Sequence, residues 1–390
     1  MTLYCVKNVK EDLIWVGGSD RRLALFENVF PIPRGVSYNA YLVQDEQTVL
    51  MDTVDSSIGS LFFENLEHAL NGKMLNYVVV NHMEPDHCAD IAELARLYPS
   101  MQIVGNQKTF GLMNQFYNMD LEGRTVVVKE GDVLDLGEHK LTFVMAPMVH
   151  WPEVMMSYDE TDKALFSADA FGKFGALDCQ DKEWDCEARR YYMGIVGKYG
   201  MQVQAVLKKA AALDIKMICP LHGPVLTGDL SHYMSLYDIW SSYGVESDGV
   251  CIPYTSVYGN TKKAAELLAK KLEERGCKAA ISDLARCDMA EAVEDAFRYG
   301  KLVLATTTYN ADIFPFMRQF IDHLTERNYQ NRTLGFIENG TWAPAAAKIM
   351  KAMFEKSKNI NYIDTTVTLR SAMTEENAKA IERMAEELCR

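Results

Sequence analysis

The feature that most constrains this chain is the segment His82-Met83-Glu84-Pro85-Asp86-His87, which follows the apolar run Asn76-Tyr77-Val78-Val79-Val80 after one residue, Asn81. It places four potential metal ligands within six residues, at the point where a predicted β-strand ends. A turn at a strand end directs several side chains to one place outside the sheet, and Pro85 stiffens this turn. Imidazoles mixed with carboxylates suit iron, manganese or zinc. Taken alone, the segment also fits a solvated polar turn.

Three further polar residues occupy the same kind of place. His150, Asp169 and His222 each come after a predicted apolar strand. A single histidine after a strand is more often structural than metal-binding, but the repeated placement favours one shared site where the strand ends meet. Asp52 also ends a predicted strand, and we expect it to lie behind the ligands. His139 stands in polar surroundings and is predicted to be a surface residue.

The first part of the chain, residues 1–248, combines short predicted strands with interspersed helices. The predicted strands include residues 13–16, 37–43, 48–52, 78–81, 102–104, 125–128, 140–146, 154–158 and 164–167. The predicted helices include residues 61–70, 88–98 and 187–198. Strands and helices alternating over such a length favour two sheets packed together with helices outside, an αββα sandwich.

The pattern His82-x-Glu84-x-Asp86-His87, followed by His150, Asp169 and His222, resembles the metallo-β-lactamase superfamily. That superfamily usually has His-x-His-x-Asp-His, and a glutamate in place of the second histidine is similar to the flavodiiron proteins. An added carboxylate favours iron over zinc and stabilises the ferric state. The surrounding segments agree with this family: Gly35-Val36-Ser37-Tyr38-Asn39-Ala40-Tyr41-Leu42, His150-Trp151-Pro152, Asp169-Ala170-Phe171-Gly172 and Leu221-His222-Gly223.

The resemblance implies a division of the ligands between two iron ions. One iron would be held by His82, Glu84 and His150, the other by Asp86, His87 and His222, with Asp169 as the bridge. Tyr192 or its neighbour Tyr191 would place a phenol near the irons, as a tyrosine does in the family; we assign the role to Tyr192. The alternative is that both tyrosines are half-buried helix aromatics. Ala168 stands where many relatives carry asparagine.

In residues 249–390 the pattern changes to regular strand–helix alternation, with predicted strands at residues 250–254, 279–283, 302–306, 333–337 and 365–369. Such repetition predicts an open, doubly wound parallel sheet with right-handed crossovers. We therefore predict two domains, 1–248 and 249–390.

The loop after the first of these strands predicts an anion site, because hydroxyls and a glycine precede a helix N-terminus. A capping turn without a ligand would use the same residue types. The segment has no Gly-x-Gly-x-x-Gly and no Walker lysine, and it resembles the phosphate loop of a flavodoxin. The residues expected to bind FMN are Ser256, Val257, Tyr258, Gly259, Asn260 and Thr261, then Thr308, Tyr309, Asn310 and Ala311, and finally Asn339, Gly340, Thr341 and Trp342.

Composition excludes several other classes of protein. The formal net charge of −14 argues against a nucleic-acid partner, which requires a basic surface. No apolar run approaches the roughly 20 residues that span a bilayer, and the N-terminal segment lacks the pattern of a secretory signal. The nine cysteines are scattered without a Cys-x-x-Cys pair, so most are expected to be reduced, buried thiols. We expect a cytoplasmic protein that binds neither nucleic acid nor membrane.

The resemblance implies an oxidoreductase that reduces dioxygen to water, nitric oxide to nitrous oxide, or both. Electrons would pass from a separate small redox protein, such as rubredoxin, through FMN to the diiron centre. In the family, the flavin of one subunit meets the irons of another, which implies a head-to-tail homodimer or a dimer of dimers. One alternative is a zinc hydrolase of the β-lactamase superfamily with a flavodoxin-like docking module, and another is an electron-transfer flavoprotein with a relic metal domain. Glu84 and the FMN loops weigh against hydrolysis.

Overall fold

The computed structural model describes residues 5–179 and 184–390 and divides into two compact units, Met1–Asp238 and Ile239–Arg390. The first unit ends ten residues before residue 248, so the domain limits 1–248 and 249–390 stay a prediction. Within the described ranges, no helix has both the length and the apolar character needed to cross a membrane.

The first unit is built from short strands separated by helices. Its strands are β1 Lys7–Asn8, β2 Leu13–Trp15, β3 Gly18–Asp20, β4 Leu25–Phe26, β5 Phe30–Pro31, β6 Val36–Tyr38, β7 Tyr41–Val43, β8 Val49–Met51, β9 Tyr77–Val79, β10 Gln102–Gly105, β11 Thr125–Val127, β12 Val133–Asp135, β13 Lys140–Met145, β14 Met155–Asp159, β15 Ala164–Phe166, β16 Met217–Cys219 and β17 Leu226–Thr227. Its α-helices are α1 Gly59–Leu70, α2 Pro85–Cys88, α3 Ile91–Leu97, α4 Gln107–Tyr117, α5 Trp184–Tyr191, α6 Gly200–Ala210 and α7 Ser231–Ser241, which continues into the second unit. Short 3₁₀ turns occupy Ser56–Ile58 and Gly197–Tyr199.

Two sheets form the centre of this unit. One has the strand order β1-β2-β7-β8-β9-β10-β11 and the other the order β12-β13-β14-β15-β16-β17. Between them lies an apolar core, to which Tyr41 and Val79 contribute from one sheet and Phe143 and Phe166 from the other. Successive side chains of a strand point to opposite faces of its sheet. In both sheets, many side chains that point away from the shared core are also buried, as expected when helices cover the outer face of each sheet. The predicted αββα sandwich is confirmed.

The second unit contains strands β18 Ser247–Tyr254, β19 Ala279–Asp283, β20 Tyr299–Tyr309, β21 Asp312–Ile313, β22 Arg332–Asn339 and β23 Ile360–Leu369. Its helices are α8 Asn260–Glu273, α9 Met289–Arg298, α10 Pro315–Glu326, α11 Ala346–Met353 and α12 Glu375–Leu388. The sheet order is β19-β18-β20-β22-β23, all parallel, with β21 antiparallel to β20. From β18 the chain first adds β19 on one side of the sheet and then β20, β22 and β23 on the other side. Such folds form their ligand crevice at this change, between β18 and β20. The predicted parallel sheet is therefore confirmed.

The prediction of one continuous strand over residues 37–43 was wrong. The chain leaves β6, which pairs with β3, and enters the seven-stranded sheet only at β7. Asn39 causes the break, because its side-chain amide donates to the carbonyl oxygens of Pro220 and Gly223, each at 2.8 Å. Its backbone N–H donates to the carbonyl of Leu221, so Asn39 holds the loop that carries His222.

The predicted helix 187–198 is helical throughout but is not a regular α-helix. α5 ends at Tyr191, and a π-helical turn follows at Tyr192–Val196. This turn packs so closely against the hairpin β4–β5 that a Cβ atom on Gly194 would lie 2.8 Å from the Phe30 ring. Single π-turns inside helices often mark functional sites.

His139 was wrongly predicted as a surface residue. Its side chain is 2% exposed and bridges two carboxylates, with Nδ1 at 2.7 Å from Asp159 and Nε2 at 2.9 Å from Asp12. The hydrogen bond to Asp159 is the largest of the effects that raise the pKa of His139 to about 9. The imidazolium thus joins the turn before β13 to the end of β14 and to the turn before β2.

We expect His139→Gln to destabilise the first unit by about 2 kcal/mol at pH 6, the range for hydrogen bonds to charged groups. Because the folded-state pKa lies above the unfolded value near 6.5, the stabilisation is complete below that value and is lost as pH rises through about 9. Thermal unfolding across this pH range should show the difference between wild type and variant shrinking. A constant difference would contradict the role of the charge, and the exposed His68→Gln serves as control.

Candidate metal centre and cofactor pocket

Four of the predicted ligands form one group in the first unit. His82 and Glu84 lie in the turn after β9, His150 follows β13 and Asp169 follows β15. The His150 Nε2 atom lies 2.9 Å from Glu84 Oε2 and 3.0 Å from Asp169 Oδ2. The His82 Nε2 atom lies 3.3 Å from Glu84 Oε2 and 3.4 Å from Asp169 Oδ2.

The other three predicted ligands form a second group directly beside the first. Asp86 and His87 lie in α2, whose first residue is Pro85, and His222 follows β16. The Nε2 atoms of His87 and His222 are 3.0 Å apart, and each lies 3.3 Å from Asp86 Oδ2. The second carboxylate oxygen of Asp169, Oδ1, lies 3.1 Å from His87 Nε2 and 3.7 Å from His222 Nε2. Asp169 therefore presents one oxygen to each group.

The donor atoms fit two metal ions. Ligands bound at 2.0–2.2 Å to a common ion are about 3.0–3.5 Å from each other, which is close to the spacing in both groups. The Nδ1 atom of His222 donates to the Ser37 carbonyl at 2.8 Å, which leaves its Nε2 lone pair facing His87. Both carboxylate oxygens of Asp86 are buried and lack a hydrogen-bond donor among the described residues. A histidine lone pair that faces another imidazole, beside a buried carboxylate that lacks a hydrogen-bond donor, is costly without a cation between them.

The surroundings keep the carboxylates ionised. Burial alone would raise the pKa of Glu84, but hydrogen bonds from His150 and His82 bring it below its usual range. For Asp169, burial is likewise outweighed by the charges of His87 and His82, and its pKa is well below the ordinary value. Three carboxylates and four histidines thus make a site that attracts cations.

Buried carboxylates hold the ligands from behind. Asp52 accepts hydrogen bonds from the backbone N–H groups of Asn81 and His82, at 2.7 and 3.2 Å, and so fixes the turn after β9. Glu153 accepts from His82 Nδ1 at 2.8 Å and from the Met83 N–H at 2.9 Å. Sequence reasoning did not identify Glu153, although it directly follows His150-Trp151-Pro152.

We expect Glu153→Gln to weaken metal binding at the site between tenfold and a hundredfold, the usual effect of losing a carboxylate behind a histidine ligand. Glutamine still accepts a hydrogen bond from His82 but no longer supplies the negative charge that makes the imidazole a stronger ligand. Titration of the metal-free protein with Fe²⁺ measures the change, with the exposed Glu160→Gln as control. Equal affinities in the two variants would rule out this role for Glu153.

The structure favours Tyr191 over Tyr192 for a position beside the metal groups. The Tyr191 ring centroid is 5.4 Å from that of His222, and the hydroxyl is buried without a described hydrogen-bond partner. Burial, with the nearby charge of Asp169, raises the pKa of Tyr191 well above its ordinary value, so the phenol keeps its proton. The Tyr192 ring instead packs against Tyr237, with centroids 5.1 Å apart. The role assigned to Tyr192 stays a prediction that these contacts do not support.

Glu27 is a further carboxylate at this site. It lies in the tight turn between β4 and β5, where a positive φ of 49° turns the chain. Glu27 is partly exposed to solvent, and partial desolvation, the negative charge of the nearby Glu84 carboxylate and a hydrogen bond to it raise the pKa of Glu27 to about 8. A short polar turn more than 50 residues away in sequence carries no pattern that could have revealed this contact.

In the second unit, the predicted loops line one pocket of about 600 Å³ at the carboxyl edge of the sheet. Of the residues expected to bind FMN, all but Gly259 line it. Gly259 instead caps α8 with a φ of 86° and donates its N–H to Ser256 Oγ at 3.1 Å. Residues that line the pocket but were not predicted are Thr307, Ala343, Ala345 and Ser371.

The pocket has the features of a flavin phosphate site. No side chain caps the N-terminus of α8, so its first N–H groups are available to an anion at the positive end of the helix dipole. The Thr307 hydroxyl is buried and lacks a described partner. Tyr258 and Trp342 are 91% and 87% exposed at the rim, and such aromatic surfaces suit a planar ring. The residues present therefore fit FMN.

Comparison with known proteins agrees with the fold of both units. Residues 36–223 match the family described as ODP family beta lactamase, and residues 251–381 match the flavodoxin domain family.

Three similar proteins cover nearly the whole chain. The anaerobic nitric oxide reductase flavorubredoxin of Escherichia coli is 29% identical over 90% of this chain and 77% of its own length. The structure of the rubredoxin oxygen:oxidoreductase of Desulfovibrio gigas has a TM-score of 0.91 at 24% identity, covering 99% of this chain and 98% of that one. The flavodiiron protein of Giardia intestinalis also has a TM-score of 0.91, at 22% identity and with the same coverage, 99% and 98%.

Proposed function

We propose that the chain, whose domain order and fold match those of flavodiiron proteins, uses electrons from a separate small redox protein to reduce dioxygen to water, nitric oxide to nitrous oxide, or both. It is an oxidoreductase whose cofactors are FMN and a pair of iron ions. The single observation that carries the proposal is the position of Asp169, whose two oxygens face two ligand groups that each contain two histidines. This arrangement suits two ions acting together on one small substrate.

The residues assigned to the two metals correspond to the two ligand groups described above. His82, Glu84 and His150 would hold one iron, and Asp86, His87 and His222 the other, with Asp169 shared. FMN held in this pocket would supply electron exchange with the donor, and the two irons held by these seven residues would supply the redox chemistry for the gas. The carboxylates favour the ferric state, while the histidines keep the ions reducible.

In the second unit, the chain would hold FMN by its phosphate and its ring. Backbone N–H groups at the start of α8, with the hydroxyls of Ser256 and Thr261, would bind the phosphate. Tyr309 and Trp342 would flank the ring at the reversal point between β18 and β20.

Gas consumption by the anaerobically reduced protein tests the proposal, with dioxygen and nitric oxide supplied separately. We expect rapid consumption of at least one gas by protein that contains two irons and one FMN per chain. Comparable slow rates with both gases at full cofactor content would overturn it. Protein from iron-replete cells that contains zinc and little iron would favour the hydrolase alternative instead.

We expect Tyr191→Phe to lower turnover about tenfold. A positioned proton donor contributes about 10²–10⁴-fold, but the raised pKa of the Tyr191 phenol makes it a weaker donor, so its loss costs less. The substitution keeps the ring that packs on His222 and removes only the hydroxyl. Tyr192→Phe is the matched control and should remain near wild type. Iron and FMN contents should be unchanged in both variants. An unaffected Tyr191→Phe, or a larger loss in Tyr192→Phe, would reverse the assignment.

We further propose that the active form is a head-to-tail homodimer or a dimer of such dimers. The proposal rests on the family resemblance, in which flavin and irons of different subunits meet. Mass measurement of the native holoprotein should give an even number of chains. Full gas reduction by a monomer would contradict it.

A further inference from the structure

Two cysteines of the second unit, far apart in sequence, lie side by side. Cys277 follows the end of α8 and Cys389 follows the end of α12, and they are paired across a sequence separation of 112 residues. Their Cα atoms are 6.2 Å apart, within the range that a disulfide bridges. Both residues are only partly buried, so small solutes have access to them. The expectation that most cysteines are buried thiols was wrong, because only Cys88, Cys219 and Cys251 of the nine, all of which lie within the described ranges, are buried.

The pair stands at one end of the contact between α8 and α12. Arg275 forms ion pairs with Glu382 and Glu386, and Lys271 lies 3.2 Å from Glu382. These pairs are partly exposed to solvent, and solvent-exposed pairs stabilise a contact weakly. Between the two cysteines run every strand and loop from β19 to α12, including the FMN loops at residues 308–311 and 339–342.

The opposite end of α12 leads directly to the flavin pocket. Ser371 lines the pocket, and its backbone forms two hydrogen bonds of 3.0 Å with the Asn339 side chain. The Asn339 amide N–H donates to the Ser371 carbonyl, and the Ser371 N–H donates to the Asn339 amide oxygen. The Ser371 hydroxyl lies 2.9 Å from that of Thr341. Three residues further on, Thr374 caps α12. A helix of 14 residues is a rigid rod of about 21 Å, so its C-terminal anchorage affects how firmly its N-terminal segment is held.

We propose that Cys277 and Cys389 form a reversible thiol–disulfide pair that controls how firmly the second unit holds its flavin pocket. Oxidation closes a loop of 112 residues and removes much of the conformational freedom of the unfolded chain, which stabilises the folded unit. Reduction leaves α12 held by partly exposed ion pairs and its apolar face, and the Ser371 segment then opens more often. This inference does not depend on which gas the protein reduces.

The oxidant is a low-molecular-weight disulfide of the glutathione class. One thiolate of the pair attacks a sulfur of that disulfide, forms a mixed disulfide and releases one thiol. The second cysteine thiolate then attacks the protein sulfur of the mixed disulfide and releases the second thiol. The pair loses two electrons and two protons, and the small disulfide gains both to become two thiols.

The test uses the full-length protein with FMN bound, incubated either with oxidised glutathione or with dithiothreitol. Mass mapping of peptides under non-reducing conditions should find the Cys277–Cys389 link in the first sample and free thiols in the second. FMN fluorescence, which increases on release, should show thermal release of the flavin at least about 5 °C lower after reduction, given the usual size of disulfide stabilisation.

Three variants separate the pair from other effects of the reagents. Cys277→Ser and Cys389→Ser should each abolish the link and the difference between oxidised and reduced samples. Cys287→Ser, a cysteine of the same unit that is unpaired in the structure, should retain both. Absence of the link after oxidation would overturn the proposal. So would an equal shift in Cys277→Ser, or a link that leaves FMN release unchanged.

Discussion

Asp169→Asn is expected to remove most of the metal from both positions and to abolish gas reduction, while FMN stays bound. Asp169 is 1% exposed, and its two oxygens serve different ligand groups, 3.0 Å from His150 Nε2 and 3.1 Å from His87 Nε2. Asparagine has nearly the same shape, but its amide nitrogen cannot bind a cation and would point at one of the two groups. The remaining charge also falls by one unit in a buried site, where electrostatic interactions are strong.

Measuring iron and FMN per chain, together with gas consumption, checks this expectation. We expect the iron content to fall below about a tenth of the wild-type value. Bulk water does not reach the buried site to replace the lost bridging carboxylate, so each ion would be left with an unfavourable, incomplete set of ligands. Asp120→Asn, an exposed aspartate of the same unit, serves as control for purification and loading. Retention of two irons by Asp169→Asn would show that the two ligand groups are filled independently and would remove the basis for joint action on one gas.

Glu84→His is expected to weaken iron occupancy and gas reduction, again with FMN unchanged. Glu84 Oε2 lies close to both His150 and His82, at 2.9 and 3.3 Å, so its negative charge faces two histidines of the same group. A third imidazole in this group makes the site softer and less negative, which shifts its preference from iron toward zinc. The contrast between iron and zinc content after growth with both metals is therefore the most direct measurement.

Glu84→Gln separates the two causes of this effect. Glutamine keeps the length and the oxygen of glutamate but removes the charge. A loss of iron in Glu84→Gln without a gain of zinc would assign the iron preference to charge, and a gain of zinc only in Glu84→His would assign the metal exchange to the imidazole. Full gas reduction by Glu84→His would remove Glu84 from its proposed role.

Both expectations concern residues that stand out in the sequence, whereas their surroundings do not. Glu153 and Glu27 contact the histidines and Glu84 only because the turn after β9, the turn after β13 and the hairpin β4–β5 meet in space. The sequence does not distinguish which of two adjacent tyrosines lies beside the metal ligands. The packing of the helix decides this, because it places the Tyr191 ring, rather than the Tyr192 ring, beside His222. The polar sequence around His139 predicts a surface residue, whereas the fold places two aspartates that are distant in sequence against its ring nitrogens.

The sequence by itself determined the two-part organisation, the sandwich and the parallel sheet, and the strand ends at which the polar residues converge. These follow from local patterns, since apolar periodicity defines strands and helices and chain neighbours such as His82 and His87 remain neighbours in the fold. Only the tertiary structure decided which oxygen of Asp169 faces which histidines, which phenol lies beside them, and that Cys277 meets Cys389. Those contacts join residues dozens to more than a hundred positions apart, and no local pattern records them, because they depend on how complete elements pack.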